Sequence, residues 1–296
     1  MKTKTIRNSI PAIFLALLVL FGGAAAAKAA GALFEPANFV LIRGGEFTMG
    51  SPEGEVGRGK VETQHQVRVS TFAMSKYAVT VAEFRRFVEA SGYQTDAEKQ
   101  GNSINWRYGV YESVRPQSEE NHPVLYVSWN DAVAYCKWLS TKTGKHFRLP
   151  TEAEREYACR AGSRTPFNTG ENLTTDQANY DGKYPYNNNP QGVNRKNTFA
   201  VYSFAPKAWC LYNMHGNVYE WCSDWYSDTY YDDCKANGTV TNPPGPASAP
   251  SRLQPVHVIR GGSWYDYAVL CRSAYRDFRT PDSQYDCLGF RLVFVP

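Results

Sequence analysis

Several features that would narrow the function of this 296-residue chain are missing or scarce. There is no basic run. The 32 Lys and Arg outnumber the 28 Asp and Glu only slightly, and the net charge of +4 is spread along the chain. Nothing in that balance argues for nucleic acid, and no such partner is expected. Histidines number five and are scattered, and the seven cysteines show no Cys-x-x-Cys spacing. That pattern excludes the usual zinc frameworks. Past the N-terminal segment no apolar stretch is long enough to cross a bilayer. The N-terminus also lacks paired arginines of the twin-arginine kind, and no cysteine is placed there to take a lipid anchor.

What the N-terminus does have is the order of an export signal. Lys2, Lys4 and Arg7 precede an apolar run from Ile10 to Phe21. An alanine-rich stretch follows, and Ala27-Lys28-Ala29 fits the small-x-small rule for cleavage. Residues 1–29 are therefore expected to be a signal peptide, with the mature chain periplasmic or secreted. Export permits disulfides, and an odd cysteine count leaves at least one thiol unpaired within the chain. Cys222 and Cys234 are close enough in sequence to close a short loop. The 20 tyrosines and 7 tryptophans suit a loop-heavy interior, or a binding surface, packed by large side chains with polar tips.

Local patterns give a set of short elements. Phe39–Ile42, Phe47–Gly50 and the alternating stretch 66–74 predict strands. Thr80 with Glu83, and Thr151 with Glu154, are capping boxes opening helices; Ser128 opens another that Gly144 closes. Residues 95–121 predict a long ordered loop, Pro123–Val127 a short strand, and His257–Arg260 and Gly289–Val295 terminal strands. From 163 to 256 regular structure fades. A loop of that length, rich in aromatics, is expected to be held by ligands, metals or disulfides rather than disordered. The class is α+β.

Several segments together resemble one family. They include Gly45-Glu46-Phe47-Thr48-Met49-Gly50, Arg148-Leu149-Pro150-Thr151-Glu152-Ala153-Glu154, Asn213-Met214-His215-Gly216-Asn217-Val218 with Glu220-Trp221, Arg260-Gly261-Gly262-Ser263-Trp264 and Leu288-Gly289-Phe290-Arg291. In this order they resemble the formylglycine-generating-enzyme (sulfatase-modifying-factor) domain over residues 38–296. The resemblance implies a C-type-lectin-like fold with little regular secondary structure, often stabilised by calcium. It assigns calcium to the side chains of Asn213 and Glu220 and the carbonyls of Gly216 and Val218. A second site would use Asn179, the carbonyl of Tyr180 and a later carboxylate, which 187–195 does not offer.

The family's copper chemistry needs two thiolates, three and eight residues after the serine of Arg-Gly-Gly-Ser. Here those positions are Asp266 and Cys271. Counting back from Arg276 and Thr280-Pro281-Asp282-Ser283 makes the segment about three residues shorter, and Cys271 then leaves the catalytic position. Copper is not expected. The resemblance also implies that Cys159 is a half-cystine whose partner lies just after the catalytic pair, which nominates Cys271. Candidate catalytic residues are Cys271, Ser263 and Asp266, and Tyr219, Trp264 and Tyr265 are expected to line the cleft.

The expected function is an accessory or maturation factor of the cell envelope, acting as a monomer on a protein or peptide-derived substrate. An active oxidase with a divergent site, of the formylglycine-generating or siderophore-maturation type, is one alternative. A lectin-like ligand-binding module is another, and whether the chain is an enzyme stays open.

Overall fold

Three helices begin where the sequence carries a hydroxyl followed three residues later by a carboxylate. Helix α1 spans Val81–Ser91, and Thr80 accepts from the Glu83 amide while Glu83 accepts from the Thr80 amide. Two further helices, Trp129–Thr143 and Glu152–Arg160, are capped the same way by Ser128 with Asp131 and by Thr151 with Glu154. Each box satisfies backbone donors that the first helical turn leaves open. A fourth box, Thr95 with Glu98, opens the one-turn helix α2, Asp96–Lys99, inside the stretch expected to be loop. The two further helices are thus α3 (129–143) and α4 (152–160). The computed structural model describes residues 34–249 and 254–296, so the expected signal peptide at 1–29 lies outside the described residues.

The strands are β1 Phe39–Ile42, β2 Gly45–Met49, β3 His65–Val69, β4 Phe72–Ser75, β5 Phe147–Arg148, β6 Tyr219–Trp225, β7 Val240–Thr241, β8 His257–Arg260, β9 Asp277–Arg279, β10 Leu288–Gly289 and β11 Val293–Phe294; helix α5, Tyr230–Ala236, lies between β6 and β7. They form sheets in the orders β1-β4-β11-β5, β10-β6-β8-β9 and β2-β3-β7. The stretch expected as one strand over 66–74 is two, because β3 pairs with β2 and β4 with β1. Gly289–Val295 likewise divides, β10 running parallel to β6 and β11 antiparallel to β4. The expected strand at Pro123–Val127 is an isolated bridge from Thr80 to Pro123. Proline lacks the donor a ladder needs, and Tyr126 turns to φ +55°. Strand β6, within the stretch expected to lack regular structure, is buried on both faces and so shows no alternation to read.

Aromatic rings join α1 to α3: the Phe84 centroid lies 5.4 Å from Phe87 and 6.0 Å from Tyr135. Helix α4 is different, since Glu152, Glu154, Arg155, Glu156 and Arg160 are all buried. Buried charges persist only when paired, and these are. Arg155 binds Glu220 on β6, Glu156 binds both Arg160 and Arg260 on β8, and Glu152 binds Arg276 at 2.7 Å. Arg260 also donates to the carbonyls of Ser273 at 2.8 Å and Ala274 at 2.9 Å. Helix α4 therefore fixes the end of β8 and the returning 273–276 segment as one rigid frame. No helix among the described residues is long and apolar enough to cross a membrane.

Candidate functional site

The chain leaves β8 through Gly261 (φ +106°) and Gly262 (φ +69°), conformations that side-chain-bearing residues rarely adopt. A methyl at Gly262 would lie 2.5 Å from the Cys271 sulfur, so that thiol packs directly behind the turn. Ser263 then donates its hydroxyl to Asp266 Oδ2, while the Tyr265 amide donates to Ser263 Oγ at 3.3 Å. The Asp181 amide holds the Asp266 carbonyl at 2.8 Å. Ser263 and Asp266, two of the expected catalytic residues, thus form one hydrogen-bonded unit.

Burial pushes the Asp266 carboxyl up to about 6, with the neighbouring Asp277 reinforcing the shift and the Ser263 hydroxyl opposing it. Burial also raises the Tyr219 phenol, as do Asp266, Tyr275 and Asp277 nearby. Burial likewise raises the Tyr275 phenol, so both phenols stay protonated beside a carboxyl raised to about 6. Cys287 completes the group, its thiol pushed up to about 12 by burial and then by Asp266 and Asp286. Such a set can hold and move protons, with Asp266 as the group that changes state. Sequence reasoning did not find Cys287, Tyr275 or Asp277, because only the return of β9 and β10 to β6 and β8 brings them here.

The third expected catalytic residue, Cys271, does not belong to this unit. It is fully buried and its thiol is raised well above the ordinary range by burial. A thiol in that state is a poor nucleophile and metal ligand. The expected bridge from Cys159 to Cys271 is not formed, and neither is the one from Cys222 to Cys234. His215 occupies the space beside Cys159, with ring nitrogens 3.7 and 3.8 Å from its sulfur, and its Nδ1 lies 2.8 Å from the Cys271 carbonyl. The residue opposite Cys159 after the turn is Ser273, at 3.6 Å. Burial alone would raise the Cys159 thiol, but His215, Arg155 and Ser273 bring it down to about 6.

The expected cleft residues separate. Tyr265 is 68% exposed, whereas Trp264 is 2% and Tyr219 3% exposed. Trp264 is a packing residue whose Nε1 donates to the Asp286 carbonyl at 3.0 Å, and Tyr219 is buried in β6, near enough to Asp266 for its phenol to feel that carboxyl. Of the three, only Tyr265 is exposed to solvent.

The first calcium set does not fit. Both Glu220 oxygens are taken: Arg155 Nε lies 2.6 Å from Oε2, and Arg291 reaches Oε2 at 2.7 Å and Oε1 at 2.6 Å. The Val218 amide donates to the Gly216 carbonyl at 3.1 Å. Asn213 Oδ1 remains buried without a partner, but both oxygens of its fellow ligand Glu220 are already occupied by guanidinium groups. The Asn179 set fits better. Asn179 Oδ1 and Asn197 Oδ1 are buried without partners, and Asn179 Nδ2 donates to the Asn197 carbonyl at 2.8 Å. Hard cations take such amide and carbonyl oxygens. Asn197 supplies an amide where the resemblance implies a carboxylate, and it lies just past the stretch in which that carboxylate was sought.

The comparisons with known proteins agree with this architecture. The chain is 37% identical to a formylglycine-generating enzyme of Streptomyces coelicolor, with 85% of this chain and 87% of that protein covered. It is 31% identical to an inactive C-alpha-formylglycine-generating enzyme 2 of Bos taurus, over 86% and 87%. The structure of PvdO from Pseudomonas aeruginosa superposes with a TM-score of 0.68 at 32% identity, covering 87% of this chain and 94% of that one. The sulfatase-modifying factor enzyme 1-like domain matches residues 25–295, and the chain belongs to that family, with its mixed α+β, C-type-lectin-like fold of little regular secondary structure.

Proposed function

We propose that this protein is a maturation factor of the cell envelope that engages a protein or peptide-derived substrate at the Ser263–Asp266 turn, and that Asp266 serves there as a proton carrier. The observation that carries this reading is the occupant of the turn. The position three residues after Ser263 holds a hydrogen-bonded carboxyl raised to about 6, and Cys271 is sealed behind Gly262. Copper(I) selects soft thiolates, and a thiolate pair is not what this turn offers. The relatives named as formylglycine-generating enzymes support a protein or peptide-derived substrate, and the export-like N-terminus supports the envelope. Acting as a monomer belongs to the same reading.

A photo-crosslinking residue in place of the exposed Tyr265, followed by cell fractionation, tests this directly. Adducts with a peptide-bearing species in the envelope fraction are expected, weakened in Asp266→Asn. Conversion of a cysteine-containing sulfatase-motif peptide to an aldehyde by the purified protein would overturn the reading, as would adducts confined to the cytoplasm.

Calcium is part of the proposal, at Asn179 and Asn197 rather than at Glu220. There it would tie the 179–197 loop to the 213–218 segment, already joined by the Asn217 amide donating to the Asn179 carbonyl at 2.8 Å.

A further inference from the structure

A concavity elsewhere on the molecule shares no residue with the Ser263–Asp266 turn. It is a cavity of about 530 Å³ whose walls include Thr48, Gln64, Gln66, Arg164, Lys235 and Thr239. A smaller hollow of about 250 Å³ adjoins it through Thr48, Gln66 and Arg164 and adds Tyr157, Ser163 and Trp209.

The charges of this groove are one-sided. Arg164 and Lys235 are exposed and have no acidic partner among the described residues. Glu46 in the wall is committed to Arg68, and Glu156 to Arg160 and Arg260, while Asp232 and Asp233 share α5 with Lys235 but are not among the lining residues. Arg160, which also lines both hollows, is spent on Glu156 at 2.9 Å and the Gly50 carbonyl at 2.8 Å. Around the two uncommitted cations stand neutral groups that both donate and accept, with Gln66 Nε2 donating to Thr48 Oγ1 at 2.9 Å. In the smaller hollow Ser163 Oγ is buried without a partner. The wall there is aromatic, with Tyr157 and Trp209 centroids 5.1 Å apart.

Each part matches one part of a single ligand class. Arg and Lys take an anionic substituent, amides and hydroxyls take sugar hydroxyls, and aromatic faces take the apolar face of a pyranose ring. We infer that the groove between β2–β3, the end of α4 and the end of α5 binds an acidic saccharide, with its sulfate or carboxylate on Arg164 and Lys235 and a neighbouring ring against Trp209. This site is independent of the reading given for Asp266.

The test is calorimetric titration of the mature protein with a sulfated uronate disaccharide, its desulfated form, the neutral disaccharide and inorganic sulfate. Binding of the sulfated sugar is expected, weakening as salt rises. The desulfated uronate separates a sulfate requirement from a carboxylate one. Arg164→Ala with Lys235→Ala should weaken binding about tenfold or more, and Trp209→Ala should weaken it without changing the salt dependence. Ser263→Ala should leave it unchanged. The altered cations are exposed, so a matching thermal melt establishes that the variants fold. Failure of every sugar to bind at low salt overturns the inference, as does unchanged affinity in the double variant. Sulfate binding as tightly as the sugars, indifferent to Trp209→Ala, would reduce the groove to a bare anion site and overturn the saccharide assignment.

Discussion

Arg155 on α4 donates from Nε to Glu220 Oε2 on β6 at 2.6 Å, and both side chains are buried. Arg291 covers the other side of the same carboxylate. A guanidinium thus stands where the family resemblance placed a cation. Two arginines against one carboxylate leave excess positive charge in the core; Arg155 also donates to the Met214 carbonyl and Arg291 to the Tyr212 carbonyl, at 3.0 Å each, and Arg291 Nη1 reaches the Ser75 and Lys76 carbonyls. The 212–220 segment is therefore held by covalently tethered cations.

Arg155→Met is expected to lower unfolding free energy by about 3–5 kcal/mol, the usual effect of breaking a buried pair from one side. Glu220→Gln should fall in the same range, since it weakens the hold on two guanidinium groups at once. Denaturant midpoints at unchanged slope would measure both, and a loss below about 1 kcal/mol would mean the core re-forms the pairing elsewhere.

Calcium should raise the melting temperature of the wild-type protein, because a ligand that binds only the folded chain stabilises it. Asn179→Ala should abolish the increment. Glu220→Gln should lower the starting melting temperature yet keep the increment. If the increment instead vanishes with Glu220→Gln, the ion occupies the site the resemblance first assigned.

The Asp266 carboxyl sits at about 6 in the folded protein against an ordinary value near 3.8. The folded state therefore holds this proton more tightly. Its stabilising contribution is complete below about 4 and is lost as pH rises through about 6. Asp266→Asn should flatten the stability profile over that window. A reaction that uses the carboxylate should rise through the same window, and Ser263→Ala, by removing a hydrogen bond that favours the charged form, should move the midpoint upward.

Thiol labelling of the native protein should mark Cys210 first, the exposed cysteine. Cys287, partly exposed but with its thiol pushed up to about 12, should follow slowly. Cys136, Cys222 and Cys271 should react only after unfolding. Rapid native labelling of Cys271 would show that the turn at Gly262 opens and exposes the sulfur.

The capping boxes at Thr80 and Thr151, and the helix start at Ser128, were readable because each is closed by residues three positions apart. The ordered motifs carried the family, and the register from Ser263 correctly placed Asp266 in the turn. Cys159 shows where the register failed. It faces Ser273 and His215, and choosing between Cys271 and Ser273 required the path of the chain behind Gly262. Strand β6 escaped notice because burial on both faces erased its alternation, and Cys287 and Asp277 carry no local sign of lying beside Asp266.

The sequence by itself determined the family and the helix starts, since each depends on residue identity at short range. Only the tertiary structure decided that Glu220 is spent on arginines, that Asn197 faces Asn179, and that Arg164 and Lys235 share an uncommitted groove. Those outcomes depend on which charges distant segments bring together once water is excluded, and no spacing along the chain records that.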